Sequence, residues 1–328
     1  MIGMNTNFFL NQKNAFMKIK TITKTLDKKI NDWLNSITDE PLRARVKKDL
    51  IVTGGCIASM LLKEEVNDYD IYFKTKETCF DIAKYYVAKI LPIYKNSISD
   101  SVVEVVDSKN IPLKDYEEST QDYSKWSFFK KGLERSEEER IKIYIPHIGY
   151  WRRSDDVPDE DKGALNYEPV YLSENAISLS NDIQLVVRFF GDVEEIHTNY
   201  DFVHATNYFH YDNGKCKLVC NVNALQSLLT KELIYIGSKY PLTSVIRTKK
   251  FINRGYTINA GTYLKILWQV AELDLKDPVT LQEQLIGVDV AYFSMLLEIL
   301  QNVDPAKLNY SYVSEIIDRV FNEAEIDE

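Results

Sequence analysis

Between residues 50 and 74 an apolar run, Leu50 to Val52, ends on two adjacent glycines, Gly54 and Gly55, and an Asp-X-Asp pair, Asp68 and Asp70, follows after twelve intervening residues. Cys56 to Lys63 reads as a helix and Tyr69 to Lys74 as a second strand. Strand, glycine turn, helix and strand in that order constrain the chain to a mixed α/β architecture. On a strand, two residues at this spacing leave the same face. Paired carboxylates repel, and one takes up a proton unless a cation sits between them. Such an oxygen pair suits Mg²⁺, which proteins hold with one or two carboxylates plus substrate phosphates, and Mn²⁺ is the alternative ion. Glycines at the head of a helix let the backbone approach a ligand, and the helix N-terminus favours an anion. Alone, Gly-Gly is an ordinary turn and Asp-X-Asp an ordinary solvated strand end. Joined in this order, they predict a metal-dependent nucleotide site.

Composition narrows the rest. At 328 residues there is room for two domains, and 45% apolar with 27% charged residues is the balance of a soluble globular protein. No apolar run approaches the roughly 18 residues that cross a bilayer. Residues 1–19 lack a signal pattern, so no membrane partner and a cytoplasmic location are expected. Cys56, Cys79, Cys216 and Cys220 form no CxxC pair, and His147, His197, His204 and His210 show no zinc spacing with them. Reduced thiols and no zinc site are expected. The net charge of −9 does not advertise nucleic-acid binding over the whole surface. Locally, however, Lys231, Lys239, Arg247, Lys249, Lys250 and Arg254 face only Glu232. That basic stretch is either a place for a triphosphate or an RNA end, or a solvated helix face.

Ile22, Leu26, Ile30, Trp33 and Leu34 are spaced as one buried helical stripe. Asp39 is placed to cap a short helix from Pro41 to Lys48. Thr78–Leu91 reads as an amphipathic helix and Val102–Val106 as a strand. Residues 108–167 are rich in charge, with a strand at Ile141–Ile145 and Trp126, Phe128, Phe129 and Trp151 as packing anchors. They read as an insertion without a legible role. Strands are expected at Ala176–Leu179, Ile183–Phe189, Phe202–Tyr208 and Lys217–Val219, the last two joined by an Asn213-Gly214 hairpin turn. On this reading His204 shares a strand face with Phe202 and Thr206 and is structural. From Ala224 the period is helical, with candidate helices at Leu242–Arg254, Ala260–Glu272, Val279–Ile286, Val290–Leu300 and Val313–Asn322.

The Gly54-Gly55 to Asp68-X-Asp70 run resembles the head domain of the nucleotidyltransferase superfamily that includes DNA polymerase β. It resembles more closely the class II tRNA nucleotidyltransferases and bacterial poly(A) polymerases, with Leu61-Leu62 on that family's paired leucines. Asp201 to Tyr208 resembles the family's Arg-Asp-Phe-Thr-Ile-Asn-Ala strand, and Pro241 to Tyr256 its neck helix. The resemblance implies an α+β fold: a polymerase-β-like head of mixed sheet and helices, then an all-α C-terminal region. The corresponding domains are N-terminal helices at 1–49, a head at 50–223 with the charged insertion at about 108–170, and a helical neck and tail at 224–328. It further implies transfer of a nucleoside monophosphate from an NTP to a hydroxyl, an RNA 3′ end first, with a small molecule or a protein side chain as other acceptors. Asp68 and Asp70 would be catalytic and metal-holding. Gly54, Gly55, Ser59, Arg247 and Lys250 would meet the nucleotide.

The departures from the family pattern matter as much. Its Arg-Asp after the glycines is Ala58-Ser59 here, and Ser59 retains a hydroxyl for phosphate. The Arg before Asp201 is Tyr200. The residues that read the base fall at Lys239, Tyr240 and Thr243, so base selection in the tRNA-enzyme manner is not expected. The third carboxylate's place falls at Gln184, with Glu104 as a substitute, and Asp201 and Arg188 are further candidate site residues. An amide cannot act as a base. The alternative expectation is therefore a degenerate fold that binds nucleotide, RNA or a partner without catalysis.

Overall fold

The computed structural model describes residues 17–97, 104–107, 140–144, 149–151, 166–173 and 175–275, with single positions at 280, 284, 311, 312, 314, 315 and 318. Helix α1, Ile19–Ser36, buries the expected stripe of Ile22, Leu26, Ile30, Trp33 and Leu34. The Trp33 indole donates a 2.9 Å hydrogen bond to Tyr86 Oη, so its one polar atom is satisfied inside the core. Asp39 caps helix α2, Glu40–Asp49, by accepting from Leu42 N at 2.9 Å. Strand β1, Leu50–Thr53, leads through Gly54 into helix α3, Gly55–Leu62, and strand β2, Tyr69–Phe73, follows. The long helix α4, Lys76–Ser97, comes next.

The centre is an eight-stranded mixed sheet in the order β10-β9-β1-β2-β8-β7-β6-β5. Its later strands are β5 (Gly149–Trp151), β6 (Pro169–Ser173), β7 (Ala176–Leu179), β8 (Ile183–Phe190), β9 (Tyr208–Asp212) and β10 (Lys215–Val219). β8 runs parallel to β2, with Asp70 opposite Gln184, and the other pairings are antiparallel. Asn213 and Gly214 both take positive φ, +48° and +76°, as the tight β9–β10 turn requires.

Alternation along the strands sorts side chains onto two faces. Leu50, Val52, Ile71, Phe73, Ile183, Leu185, Val187 and Phe209 point to the back, where they join the α1–α4 side chains in one core. β3, Glu104–Asp107, and β4, Ile141–Tyr144, form a separate ribbon packed on α4. On the front, Ile51 and Tyr72 make a small apolar patch with Ile196 from the short helix α5, Val193–His197.

Three expectations need correction. Phe202–Tyr208 is not a strand: Val203–Ala205 is one turn of 3₁₀ helix, closed by Thr206, whose N and Oγ1 both bond the Val203 carbonyl. The region after residue 224 is not all helical among the described residues. Helices α6 (Val222–Thr230), α7 (Pro241–Asn253) and α8 (Ala260–Ala271) are tied by a parallel pair, β11 (Glu232–Leu233) with β12 (Thr257–Ile258). Asp68 lies one residue ahead of β2 rather than on it. Trp126, Phe128 and Phe129, and the expected helix at Val290–Leu300, lie outside the described residues.

α7 packs through small hydroxyl residues rather than a broad apolar stripe. Thr243, Ser244 and Thr248 are buried, and their hydroxyls bond carbonyls of Gln284, Tyr240 and Ser244 respectively.

Candidate nucleotide and metal site

Gly54 holds φ at +106° and ψ at −153°, a backbone conformation that a side chain would strain. A Cβ added there would stand 2.9 Å from Asp70 Oδ2 and 3.5 Å from Tyr200 Oη. The glycine therefore lets the Asp70 carboxylate lie against the head of α3. Gly54 N donates to the Ala205 carbonyl at 3.1 Å, anchoring the turn to the 3₁₀ segment. Gly55 is exposed, and nothing lies within 4 Å of where its Cβ would be.

Asp70 is half-buried and Asp68 exposed. They occupy one locality: burial first, then the charges of Asp70 and Asp68, push the Cys56 thiol well above its ordinary pKa. Among the described residues no group of three or more His, Cys, Asp or Glu could hold a metal. Two carboxylates beside a backbone turn still fit a hard cation that takes its remaining oxygens from phosphate. Asp68 and Asp70 are the residues that could hold it.

Gln184 stands on the neighbouring strand in register with Asp70. An amide oxygen is thus the cross-strand neighbour of the carboxylate. Glu104 opens β3, in the separate β3–β4 ribbon packed on α4. Ser59, on α3, is buried, with 6% of its surface exposed.

Arg247 on α7 reaches back to the sheet. Its Nη1 donates to Asp201 Oδ2 at 3.2 Å, while Phe202 N donates to Asp201 Oδ1 at 2.9 Å. Removal from water works against the guanidinium charge, but Asp201 foremost, and also Asp70, outweigh it and raise the pKa. Arg247 thus presents a cation to the Asp70 side of the sheet while Asp201 holds it. Lys250, one turn further along, is exposed, and no described contact joins it to the carboxylates. Arg188 donates through Nη2 to Tyr240 Oη and stacks 5.1 Å from that ring, stitching β8 to the start of α7.

Three aromatic neighbours of the site carried no pattern in the sequence. Tyr72 and Tyr200 face each other with ring centroids 6.2 Å apart, and His197 lies 5.0 Å from Tyr200. Burial, then Asp70, raises the pKa of Tyr72. Burial lowers His197 to about 4, so the ring is neutral at pH 7. Its Nε2 shares a 2.9 Å hydrogen bond with Thr53 Oγ1. Only the tyrosine at position 200, where the tRNA nucleotidyltransferase pattern has an arginine, marked this corner in advance.

His204 is 4% exposed inside a cage of Phe251, Tyr256 and Phe202, at 4.5, 5.2 and 6.1 Å between centroids. It packs the seam between the 3₁₀ turn and α7.

Comparison with solved structures returns tRNA-processing enzymes. The Thermotoga maritima CCA-adding enzyme complexed with tRNA is 12% identical, with 89% of this chain and 53% of that chain covered at a TM-score of 0.34. A CCA-adding enzyme in apo form I is 12% identical over 88% and 55%, at 0.38. A tRNA-processing enzyme with CTP is 14% identical over 82% and 54%, at 0.35. The chain spans about half the length of each of these. No curated protein matches it. The family described as Gad2, Gabija anti-defense 2 family protein, matches residues 24–231, well over half of the chain. The chain belongs to the Gabija anti-defense 2 family.

Proposed function

We propose that the chain is a metal-dependent nucleotidyltransferase that moves a nucleoside monophosphate from an NTP to a hydroxyl, an RNA 3′ end first. This transfer would be the means of the anti-defence action for which its family is named. The observation that carries the reading is the placement of Asp70 against Gly54, with Arg247 held by Asp201 on the same side. A carboxylate beside a backbone turn at a helix head, with a guanidinium on the same side, offers groups for a cation and a phosphate together. In this reading residues 50–223 are the head, 108–170 its insertion and 224–328 the neck and tail.

The acceptor oxygen attacks the α-phosphorus as its hydroxyl proton passes to solvent water, the bond from that phosphorus to the bridging oxygen breaks, and pyrophosphate leaves. A Mg²⁺ or Mn²⁺ held by Asp68 and Asp70 would supply charge neutralisation for the phosphate oxygens. Gly54 and Gly55 would offer the phosphate chain close backbone approach. Arg247 would neutralise charge that builds on the pyrophosphate, and its tie to Asp201 keeps it aimed. Lys250, exposed one turn on, would meet the far end of the phosphate chain. Gln184 can accept a hydrogen bond from the acceptor hydroxyl but cannot take its proton. Asp68 and Asp70 remain as the carboxylates of the site.

A second reading, a nucleotide- or RNA-binding or interaction protein without catalysis, draws support from that same amide beside Asp70. Incubation with each of the four labelled NTPs, Mg²⁺ and total RNA separates the two. Transfer that disappears in the Asp68→Ala, Asp70→Ala double variant supports the enzyme. Binding without transfer supports the second reading.

A further inference from the structure

We propose that the outer half of α7 carries the acceptor strand, a single-stranded RNA whose phosphates lie along Lys250 and Arg254 with Lys231 beside them. The inference rests on the reading of the site as a nucleotidyl-transfer site and names where its acceptor lies. Thr243, Arg247, Lys250 and Arg254 recur at helical spacing, so they share one face of α7, with Arg254 capping its C-terminus. That face rises out of the packing: Thr243 is buried, Arg247 half-buried, and Lys250 and Arg254 exposed. The stripe begins at the candidate site, where Asp201 holds Arg247 and Asp70 also acts on it. From Arg247 to Arg254 it runs on for about 10 Å. Lys231, arriving from the end of α6, joins it there. Its Nζ lies 4.5 Å from the centre of the Tyr256 ring, on which Arg254 also acts.

A helix C-terminus favours a cation, which accounts for Arg254 alone. It does not account for Lys231, which belongs to another element. Arg247, Arg254 and Lys231 converge closely enough that all three disfavour charge on the buried His204 ring. Nearby carboxylates are already engaged: Asp201 by Arg247, Glu64 by Lys231 at 2.9 Å, and Glu232 by the Asn259 amide at 2.7 Å. Lys250 and Arg254 have no ion-pair partner among the described residues. On a chain of net charge −9, cations gathered in this way suit a polyanion. A nucleic-acid strand repeats its charge along its length, as the stripe does, and the stripe starts where its 3′ end would react.

The test is fluorescence anisotropy of a labelled single-stranded RNA of about 12 nucleotides, at several salt concentrations, with wild type, Arg254→Gln and Arg254→Lys. Calorimetric binding of inorganic tripolyphosphate with Mg²⁺ is measured beside it. Arg254→Gln should bind RNA about fivefold more weakly and lower the slope of log affinity against log salt by about 0.7. Arg254→Lys should keep the wild-type slope, and tripolyphosphate affinity should be the same in all three proteins. Unchanged RNA affinity and slope in Arg254→Gln, or no RNA binding by wild type, would overturn the proposal. So would an equal fall in tripolyphosphate binding, which would give Arg254 to the NTP. An oligoglutamate of equal charge that binds as tightly, with the same dependence on Arg254, would overturn it in favour of an acidic protein partner. Wild type that binds RNA as expected but no tripolyphosphate would leave the strand's place standing and overturn the triphosphate site.

Discussion

The two faces of the central sheet are built to different rules. The back face is dry and apolar: Val52, Ile71, Phe73, Leu185 and Phe209 are all fully buried and packed on α1 to α4. The front face carries Asp70, Gln184 and two tyrosines, and α5 covers only part of it. A back-face residue is accounted for by the water it excludes. A front-face polar group makes a poor contribution to folding, so its presence points to something it binds. Substitutions on the back should therefore cost stability and leave affinity per folded molecule alone, and substitutions on the front should do the reverse.

Trp33→Ala should show the largest stability loss, about 3–5 kcal/mol in chemical denaturation, since it empties a fully buried site and removes the indole donor to Tyr86 Oη. Nucleotide affinity of the molecules that remain folded should not change. A parallel loss of affinity would break the division between the faces.

Next in size is a pH effect at the seam. Burial, the largest cause, lowers His204 to about 4, with Arg254, Lys231 and Arg247 adding to the shift and Asp201 opposing it. The folded pKa lies below the unfolded one, so the unfolded chain binds the proton more readily. The associated stability is fully present above about pH 6.5 and is lost as the pH falls toward 4, on the order of 3 kcal/mol. Denaturation midpoints at pH 7 and 4.5 for wild type and His204→Phe should show a smaller drop in the variant. An equal drop would remove His204 as the cause.

Arg247→Ala leaves the nearly buried Asp201 carboxylate with Phe202 N alone among its described partners, which should cost about 2 kcal/mol and weaken tripolyphosphate binding. This variant sharpens the comparison, because one residue serves both folding and the site. A stability loss with unchanged binding would assign Arg247 to the fold alone. Gly54→Ala should cost about 1–2 kcal/mol from its positive φ and should push the Asp70 carboxylate away. Metal-dependent binding measured by calorimetry should fall with it.

The back of the molecule was legible in the sequence because it follows simple periods. The α1 stripe and the order β1, α3, β2 could be read from the spacing of apolar residues. The front was less legible because its structure depends on single polar contacts. Phe202 to Tyr208 alternates like a strand, but Asp201 caps Phe202 N and Thr206 folds back on Val203, closing a 3₁₀ turn instead. The β11–β12 pair is two residues long per strand, too short to show a period. Asp68 and Asp70 were found by spacing, yet the strand begins between them at Tyr69, so their shared locality comes from the approach to β2. Gln184 was found by resemblance, and its register with Asp70 could only come from the fold. Tyr200 was visible as a departure, while its place beside Gly54 was not.

The most direct measurement is transfer of labelled nucleotide, from each of the four NTPs with Mg²⁺, into RNA or another hydroxyl acceptor. Wild type should incorporate label, and the Asp68→Ala, Asp70→Ala double variant should lose it while keeping the wild-type denaturation midpoint to within about 1 kcal/mol. Incorporation at the wild-type level in the folded double variant, or none by wild type with any triphosphate, would contradict the nucleotidyl-transfer role of the front face.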